Sequence, residues 1–372
     1  MKKKFIIALS FIVILILIFG VLNIFPYFKK LNLPIIWEIK KKNYSEKLVY
    51  DFINKSLMRK NEGIYTNYLK FKSEGDITKG HSILSESEGL IMLYAVNSGD
   101  KKLFEDHYRI IKNNMKLDNG LISWRIEDGV KSDVSATIDE LRIAKSLIFA
   151  YDRWGDFKYK VSAINISKAL LKNAVYNNNL IDYVSPEGKS FNITLCYLDL
   201  YTMKILSSIN GDWNKIYNNS MKILNEGIIS DNVPLYKKTY SFKKNEYDKE
   251  ENIDLLLSLI VILNRIECGQ EQNKAIKWIE DKFYYYGYLV SAYDKKTGEE
   301  ASKIESPSIY ALTALIAKAT ENQKLFEKSI KRLEQYQIKD KSSELYGSFG
   351  NKDTLDVYSF DNLNALLAFQ KK

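Results

Sequence analysis

Cysteine and histidine are nearly missing from this chain, two of each in 372 residues. Cys196 and Cys268 fall in apolar helical patterns, which reads as buried free thiols, although an exported protein leaves a bridge open. His81 and His107 have no metal-ligand spacing to each other or to a cysteine, so no zinc site or other metal is expected. There is no Gly-rich phosphate loop and no dinucleotide fingerprint, and hence no expected cofactor. Long strand patterns are absent too. The formal charge is +9, which could attract an anionic polymer. It is spread through a Lys-rich composition without a basic cluster, and nucleic acid is not an expected partner.

The N-terminus carries the first positive signal. Met1 to Lys4 is a basic cap, and Phe5 to Phe28 is apolar except for Ser10, Asn23 and Pro26. A run of roughly two dozen residues can cross a bilayer of ~30 Å. A cleaved signal peptide would be shorter and would end in small residues, whereas this run ends in Phe-Pro-Tyr-Phe-Lys-Lys. No cysteine follows it for lipid attachment, which argues against a lipoprotein. The expectation is an uncleaved single-pass anchor in residues 1–30, a linker over 31–43 and an extracellular domain over 44–372. Lys2, Lys3 and Lys4 orient the anchor, and Lys29, Lys30 and Lys40 to Lys42 weaken that assignment without reversing it.

A faint internal repeat organises the rest. Ser98-Gly99-Asp100, Trp154-Gly155-Asp156 and Asn210-Gly211-Asp212 recur, and Cys268-Gly269-Gln270 and Thr320-Glu321-Asn322 are weaker copies. Gly suits the left-handed residue that ends one helix, and Asp suits the N-cap of the next. Each copy therefore reads as a tight turn between antiparallel helices. Twelve helices follow, at approximately 44–58, 86–98, 101–115, 138–152, 157–174, 193–209, 212–225, 252–266, 271–283, 307–319, 322–337 and 359–370. Six such hairpins can close into an (α/α)6 barrel, and an open solenoid is the alternative. The other connections run to about twenty residues and are rich in aromatics; loops of that length in a compact domain are usually functional. In a closed barrel they would wall a cleft above the N-termini of alternate helices.

Three of those helix starts carry acids. In Ser85-Glu86-Ser87-Glu88, a capping box would use Ser85 and Glu88 and leave Glu86 free. In Thr137-Ile138-Asp139-Glu140, Thr137 and Glu140 would form the box and Asp139 would be spare. In Asn252-Ile253-Asp254, Asn252 would cap and Asp254 would be spare. The helix dipole explains any one such acid; three at one end of alternate helices suggest a site. Two carboxyls across a cleft are the chemistry of glycoside hydrolysis, one donating a proton to the leaving oxygen and the other activating water. A separation of about 6.5–9.5 Å between Glu86 and Asp254 would give inversion. Trp124, with Arg125 beside it, and Tyr197 are the candidate sugar-contacting side chains.

These segments resemble glycoside hydrolase family 8 over most of residues 80–320. SESEGLIMLYAV is similar to the family's S-E-G-x-x-Y-G-M-L-x-A-V, whose Glu, the general acid, maps to Glu86. LDNGLISWRIEDG resembles the segment that places Trp124 in the cleft, and SATIDELRIAKSLIFAYDRWGD the segment with an acid that contacts the sugar. NIDLLLSLIVILNRI falls where the family has its general base, which maps to Asp254, with Asp248 as a rival. Ser87, Leu90 and Ile91 replace Gly, Tyr and Gly of the first motif. Ile138 stands where the family has Asp, so that role must pass to Asp139 or be lost, and Leu257 replaces an Arg. The resemblance implies an all-α (α/α)6 barrel that cuts a β-linked exported polysaccharide internally with inversion, with Glu86 as acid, Asp254 as base and Asp139 as an orienting group. It also suggests a place beside an exopolysaccharide synthase. A decayed, glycan-binding scaffold is the alternative, and a lyase or unsaturated glucuronyl hydrolase a weaker third.

Overall fold

The Gly-Asp punctuation does set the helix boundaries. In the computed structural model, Gly99 and Gly155 end their helices at φ of 80° and 70°. Asp100 and Asp156 cap the helices that follow, accepting from the amides of Leu103 and Lys158. At the fifth copy Glu321 takes the left-handed conformation and Asn322 caps. The third copy departs, because Asn210 is extended and the side chain of Asp212 makes no cap bond. The structure describes residues 26–29, 31, 33–38, 41–70 and 80–372.

Among the described residues twelve α-helices run from Tyr44 to Phe369. They are α1 (Tyr44–Phe52), α2 (Ser85–Ser98), α3 (Lys101–Ile110), α4 (Thr137–Trp154), α5 (Phe157–Asn173), α6 (Leu200–Ile209), α7 (Trp213–Glu226), α8 (Leu255–Glu267), α9 (Asn273–Tyr286), α10 (Pro307–Ala319), α11 (Gln323–Tyr336) and α12 (Ser359–Phe369). The even-numbered helices each touch the next, and α12 returns to α2. That contact closes the ring and excludes the open solenoid. The sequence explains the two layers. Odd-numbered helices are amphipathic: α11 buries Leu325, Phe326, Ser329, Ile330 and Leu333 along one stripe, the face that packs inward. The inner α4 buries eleven side chains from Thr137 to Ala150, as a helix enclosed on most sides must. Its large aliphatic side chains, Leu141, Ile143, Leu147 and Ile148, contribute roughly 1.5–3 kcal/mol each.

The long connections, all before inner helices, are built from short antiparallel strands. Ile83–Leu84, Arg125–Glu127 and Val130–Lys131 make one sheet. Asn192–Thr194, Thr239–Ser241 and Glu246–Tyr247 make another, and Asn252–Asp254 pairs with Ala292–Asp294. One expected helix is corrected here: residues 193–199 form the end of a strand and a 3-10 turn, and α6 begins at Leu200 with Asp199 as its cap.

Both expected capping boxes are also corrected. Glu88 does not reach back to Ser85. Its Oε1 accepts from the Ile64 amide at 2.8 Å and its Oε2 meets His107 Nδ1 at 2.6 Å. Glu140 accepts from the Ile122 amide at 2.7 Å. The fourth residue does the same in other inner helices. Ser258, Tyr310 and Asn362 accept from the amides of Tyr236, Leu289 and Phe349. This position therefore ties each of these helices to the loop before it, satisfying a buried backbone amide.

The expected anchor falls almost wholly on residues outside those described, and no helix among the described residues is long and apolar enough to cross a membrane. The stretch expected as a linker packs against the barrel in its described part. Pro34 and Ile35 close the end of the central cavity opposite the long loops. Trp37 Nε1 donates to Asp152 Oδ2 at 2.7 Å.

Candidate active site

The N-terminal ends of the inner helices meet under the strand-rich loops. Pairing of Leu84 with Arg125 and a 3.0 Å bond from the Ser85 amide to the Trp124 carbonyl lay Trp124 beside the start of α2. Glu86 is on that first turn, set deep in the protein but reached by solvent. Among the described residues its carboxyl has no hydrogen-bond partner. Burial pushes its pKa up to about 7, with the nearby Arg142 opposing and Asp139 adding to the rise.

Asp139 is the neighbour that makes this arrangement work. Its Oδ2 accepts from Ser85 Oγ at 2.6 Å and its Oδ1 pairs with Arg142 Nη1 at 2.7 Å. Burial raises its pKa, while Arg142 and Ser85 hold the shift back. Two donors favour the anion on Asp139 and none serves Glu86, so a proton is held more firmly on Glu86 than on Asp139. Gly89 makes room for this: a Cβ there would sit 3.1 Å from Arg142 Cδ, so α4 can lay its arginine across α2.

Trp124 is half-buried, with the Arg125 guanidinium 4.6 Å from its ring centre. Nε and Nη1 of Arg125 are buried without partners among the described residues. Tyr197 lies in the 3-10 turn before α6, within electrostatic reach of Asp139, Asp182 and Glu86, and burial pushes its hydroxyl up. Among the described residues that hydroxyl makes no hydrogen bond. Burial raises the Cys196 thiol as well; Asp182, Asp254 and Glu86 add to this and Arg142 opposes it. Cys196 and Cys268 are buried and free.

The roles at Asp254 are reversed from expectation. Asn252 lies in the strand, and Asp254 is the cap, its Oδ1 accepting from the Leu257 amide at 3.0 Å. Asp254 is exposed, its Oδ2 has no hydrogen-bond partner among the described residues, and it opens on a cavity of about 500 Å³. The rival Asp248 is occupied: Oδ2 accepts from the amides of Lys238 and Thr239 at 2.8 and 2.7 Å, and Oδ1 from that of Glu250 at 3.3 Å. Sequence reasoning missed two acids. Asp182, whose pKa burial raises to about 6 against its Thr194 bonds, accepts from the Thr194 amide at 2.6 Å. Asp361, on the first turn of α12, accepts from Ser306, the Ser308 amide and Ser308 Oγ. Asp182 precedes no helix, so no capping pattern marks it. Asp361 stands in Ser-Phe-Asp-Asn, the same frame as Thr-Ile-Asp-Glu, and that likeness could have found it.

Below this site the inner helices enclose a cavity of about 460 Å³, lined by Leu93, Ile138, Phe149, Leu263, Leu315 and Phe360 among others. Lys145 stands in it, its Nζ 2.5 Å from Glu267 and 3.8 Å from Asp199. Burial opposes that charge, but the two carboxylates overrule it and raise the lysine pKa.

A closed helical ring with an unbonded carboxyl of raised pKa beside a second buried acid, under aromatic loops, fits a hydrolase of glycosidic bonds. Comparison with known proteins places it further. Residues 60–230 match the model of glycosyl hydrolases family 8. The chain belongs to that family. It is 55% identical to a solved structure described as a novel alpha-amylase from Clostridium perfringens, with a TM-score of 0.85, covering 88% of this chain and 97% of that one. It is 30% identical over 315 residues to the putative lipoprotein YdaJ of Bacillus subtilis, 83% of this chain and 85% of that protein. It is 36% identical over 110 residues to endoglucanase 2 of Ruminiclostridium josui, 27% of this chain and 23% of that protein.

Proposed function

We propose that this glycoside hydrolase cuts an α-linked glucan internally and inverts the anomeric centre, with Glu86 as acid and Asp254 as base. The observation that carries the acid is the unbonded carboxyl of Glu86, held near neutrality by burial: it can keep a proton at working pH and release it to a leaving oxygen. Asp254 keeps one oxygen free toward open space while its cap bond fixes the other, which suits a base that positions water. Asp139 and Arg142 set the proton on Glu86, and Trp124, Arg125 and Tyr197 supply a stacking face and free donors for sugar. Cleavage has no need of a metal in this scheme.

The linkage is taken from the identity gradient. The relative described as an alpha-amylase shares 55% of its residues over nearly its whole length, whereas the endoglucanase match spans 27% of this chain. The β-linked exported glycan expected from the family resemblance, with its link to exopolysaccharide synthesis, is the second reading, favoured by the endoglucanases among the relatives. A non-catalytic scaffold fits poorly with an acid kept free and elevated. For location, the apolar Phe5 to Phe28 supports an anchor with the barrel outside the cell, and a relative described as a putative lipoprotein fits attachment to a membrane.

Incubation with amylopectin and, in parallel, a mixed-linked β-glucan tests the reading. New reducing ends from the first, lost in Glu86→Gln and Asp254→Asn, with the inverted anomer seen first by proton NMR, are expected. Release from the β-glucan alone selects the second reading, and retention of the anomer removes Asp254 as base.

A further inference from the structure

We propose that a second, non-catalytic binding site for the glucan chain lies on the outer rim of the cleft, on the aromatic end of α9. This rests on the glucan-hydrolase reading above.

The last turn of α9 reads Phe283-Tyr284-Tyr285-Tyr286 and is followed by Gly287, in the left-handed conformation at φ 82°, and Tyr288. Phe283 faces the core, and Tyr285 is 82% exposed. The Tyr285 ring therefore adds little to the core and stands open to a ligand. Its neighbours hold it in a defined pose. Tyr285 and Tyr286 stand edge to face at 4.8 Å and 87°, and Tyr288 is 6.0 Å beyond Tyr286. Two turns back, Trp278 packs edge-on against the buried Tyr293 at 4.9 Å. Lys282 Nζ lies 5.6 Å from both the Trp278 and the Tyr286 ring centres. Glu299 ties the group together, accepting from Lys282 Nζ and from Tyr286 Oη, each at 3.3 Å. Trp278, Asp281, Lys282 and Tyr284 to Tyr286 line an open hollow of about 510 Å³.

The chemistry favours a sugar over the other occupants of an aromatic surface. A pyranose offers an apolar C–H face and a rim of hydroxyls. The platform offers flat ring faces edged by phenol hydroxyls, a carboxylate and an ammonium group. A greasy protein or lipid contact would have aliphatic side chains here, and this turn has none. Place supports the same occupant. Outer helices run antiparallel to inner ones, so α9 ends at the level where the inner helices begin. The hairpin that carries Glu299 includes Ala292–Asp294, the strand paired with Asn252–Asp254. The platform and the candidate base are thus on two sides of one hairpin, and a chain leaving the cleft over it meets the rings. The described N-terminal residues lie elsewhere: Tyr27 bonds Asn165 on α5, two outer helices away in the ring.

The test uses the full chain in non-ionic detergent, run through native gels with and without amylopectin. Tyr285→Ala combined with Tyr286→Ala is expected to weaken retardation by roughly 5- to 50-fold in apparent affinity, from two lost stacking faces. The kcat for maltoheptaose at saturating concentration, which a site outside the catalytic groups does not set, is expected to stay unchanged, which also shows that the variant is folded. The same loss of retardation is expected in a Glu86→Gln background. Equal retardation of parent and variant overturns the platform while maltoheptaose cleavage keeps the hydrolase reading. Absence of all cleavage with platform-dependent retardation overturns the hydrolase reading and keeps the platform. Platform-dependent binding to anionic phospholipid vesicles, without retardation by glucan, assigns the rings to a membrane and overturns the proposal.

Discussion

Replacing Asp139 with Asn tests the proton arrangement directly. The change keeps size and the bond from Ser85 Oγ but removes a charge beside Glu86. Two effects follow, with the same sign. Glu86 loses the anion that raises its pKa. Arg142, now without its 2.7 Å partner, turns its full charge on Glu86 and lowers the pKa further. A like charge ~4–6 Å away at an effective dielectric of about 20 amounts to roughly 3 kcal/mol, or about 2 pKa units, before solvent screening. The assay is kcat/KM against pH on a soluble glucan. The parent should lose activity as pH rises through about 7, where Glu86 gives up its proton. In Asp139→Asn that limb should move down by about 1–2 units, so the loss at pH 7.5 exceeds the loss at pH 5. A limb that stays at about 7, or moves up, refutes the placement of the proton on Glu86. A uniform drop at every pH would mean that Asp139 acts on sugar instead.

Further outcomes follow from the same buried charges. Glu86→Gln should slow cleavage of glucan by ~10²–10⁴-fold but cost far less on an aryl glycoside whose leaving group needs no proton. The same variant should also be the more stable protein at pH 8. A carboxyl with its folded pKa raised above the unfolded value stabilises the fold below the unfolded pKa and loses that as pH rises through the folded one, here about 7. The advantage of Gln, at most ~3 kcal/mol, should vanish by pH 4, and melting curves check it. Glu140, raised to about 8 by burial, is neutral at pH 7. Glu140→Gln should be nearly silent in denaturant titration, while Glu140→Leu strands the Ile122 amide and costs ~1–3 kcal/mol. Lys145→Met leaves Glu267 and Asp199 facing an apolar chamber and should cost ~3–5 kcal/mol, with part of the loss recovered on adding Glu267→Gln.

Hairpin punctuation and helical periodicity were legible because both are local. Gly99 and Gly155 take a left-handed turn at no steric cost, and Asp100 and Asp156 cap because the next amides are within reach of a short side chain. The twelve helices therefore stand close to where the pattern puts them. The start of α6 was not legible, since residues 193–199 are as apolar as a helix and only strand pairing with Thr239–Ser241 draws them away. The capping boxes failed for a related reason. Ser-x-x-Glu describes a side chain within reach of its own helix end, and it cannot say whether a buried amide from another segment competes. At Glu88 and Glu140 the competing amides won, because the Ile64 and Ile122 amides have no other partner among the described residues.

The same division runs through the candidate site. The linear order of residues was enough to single out Glu86, because an acid on a first helical turn has few duties there. It was also enough to indicate Asp139 and Asp254 as companions. Closure of α12 onto α2, the crossing of Arg142 over Gly89, the convergence of Asp182 on Tyr197 and the reassignment of Asp254 to its own helix cap were decided only in three dimensions. Those features depend on through-space distance between residues dozens of positions apart. Burial and Coulomb interaction act through that distance: they raise the pKa of Glu86, while Arg142 and Ser85 hold back the rise at Asp139.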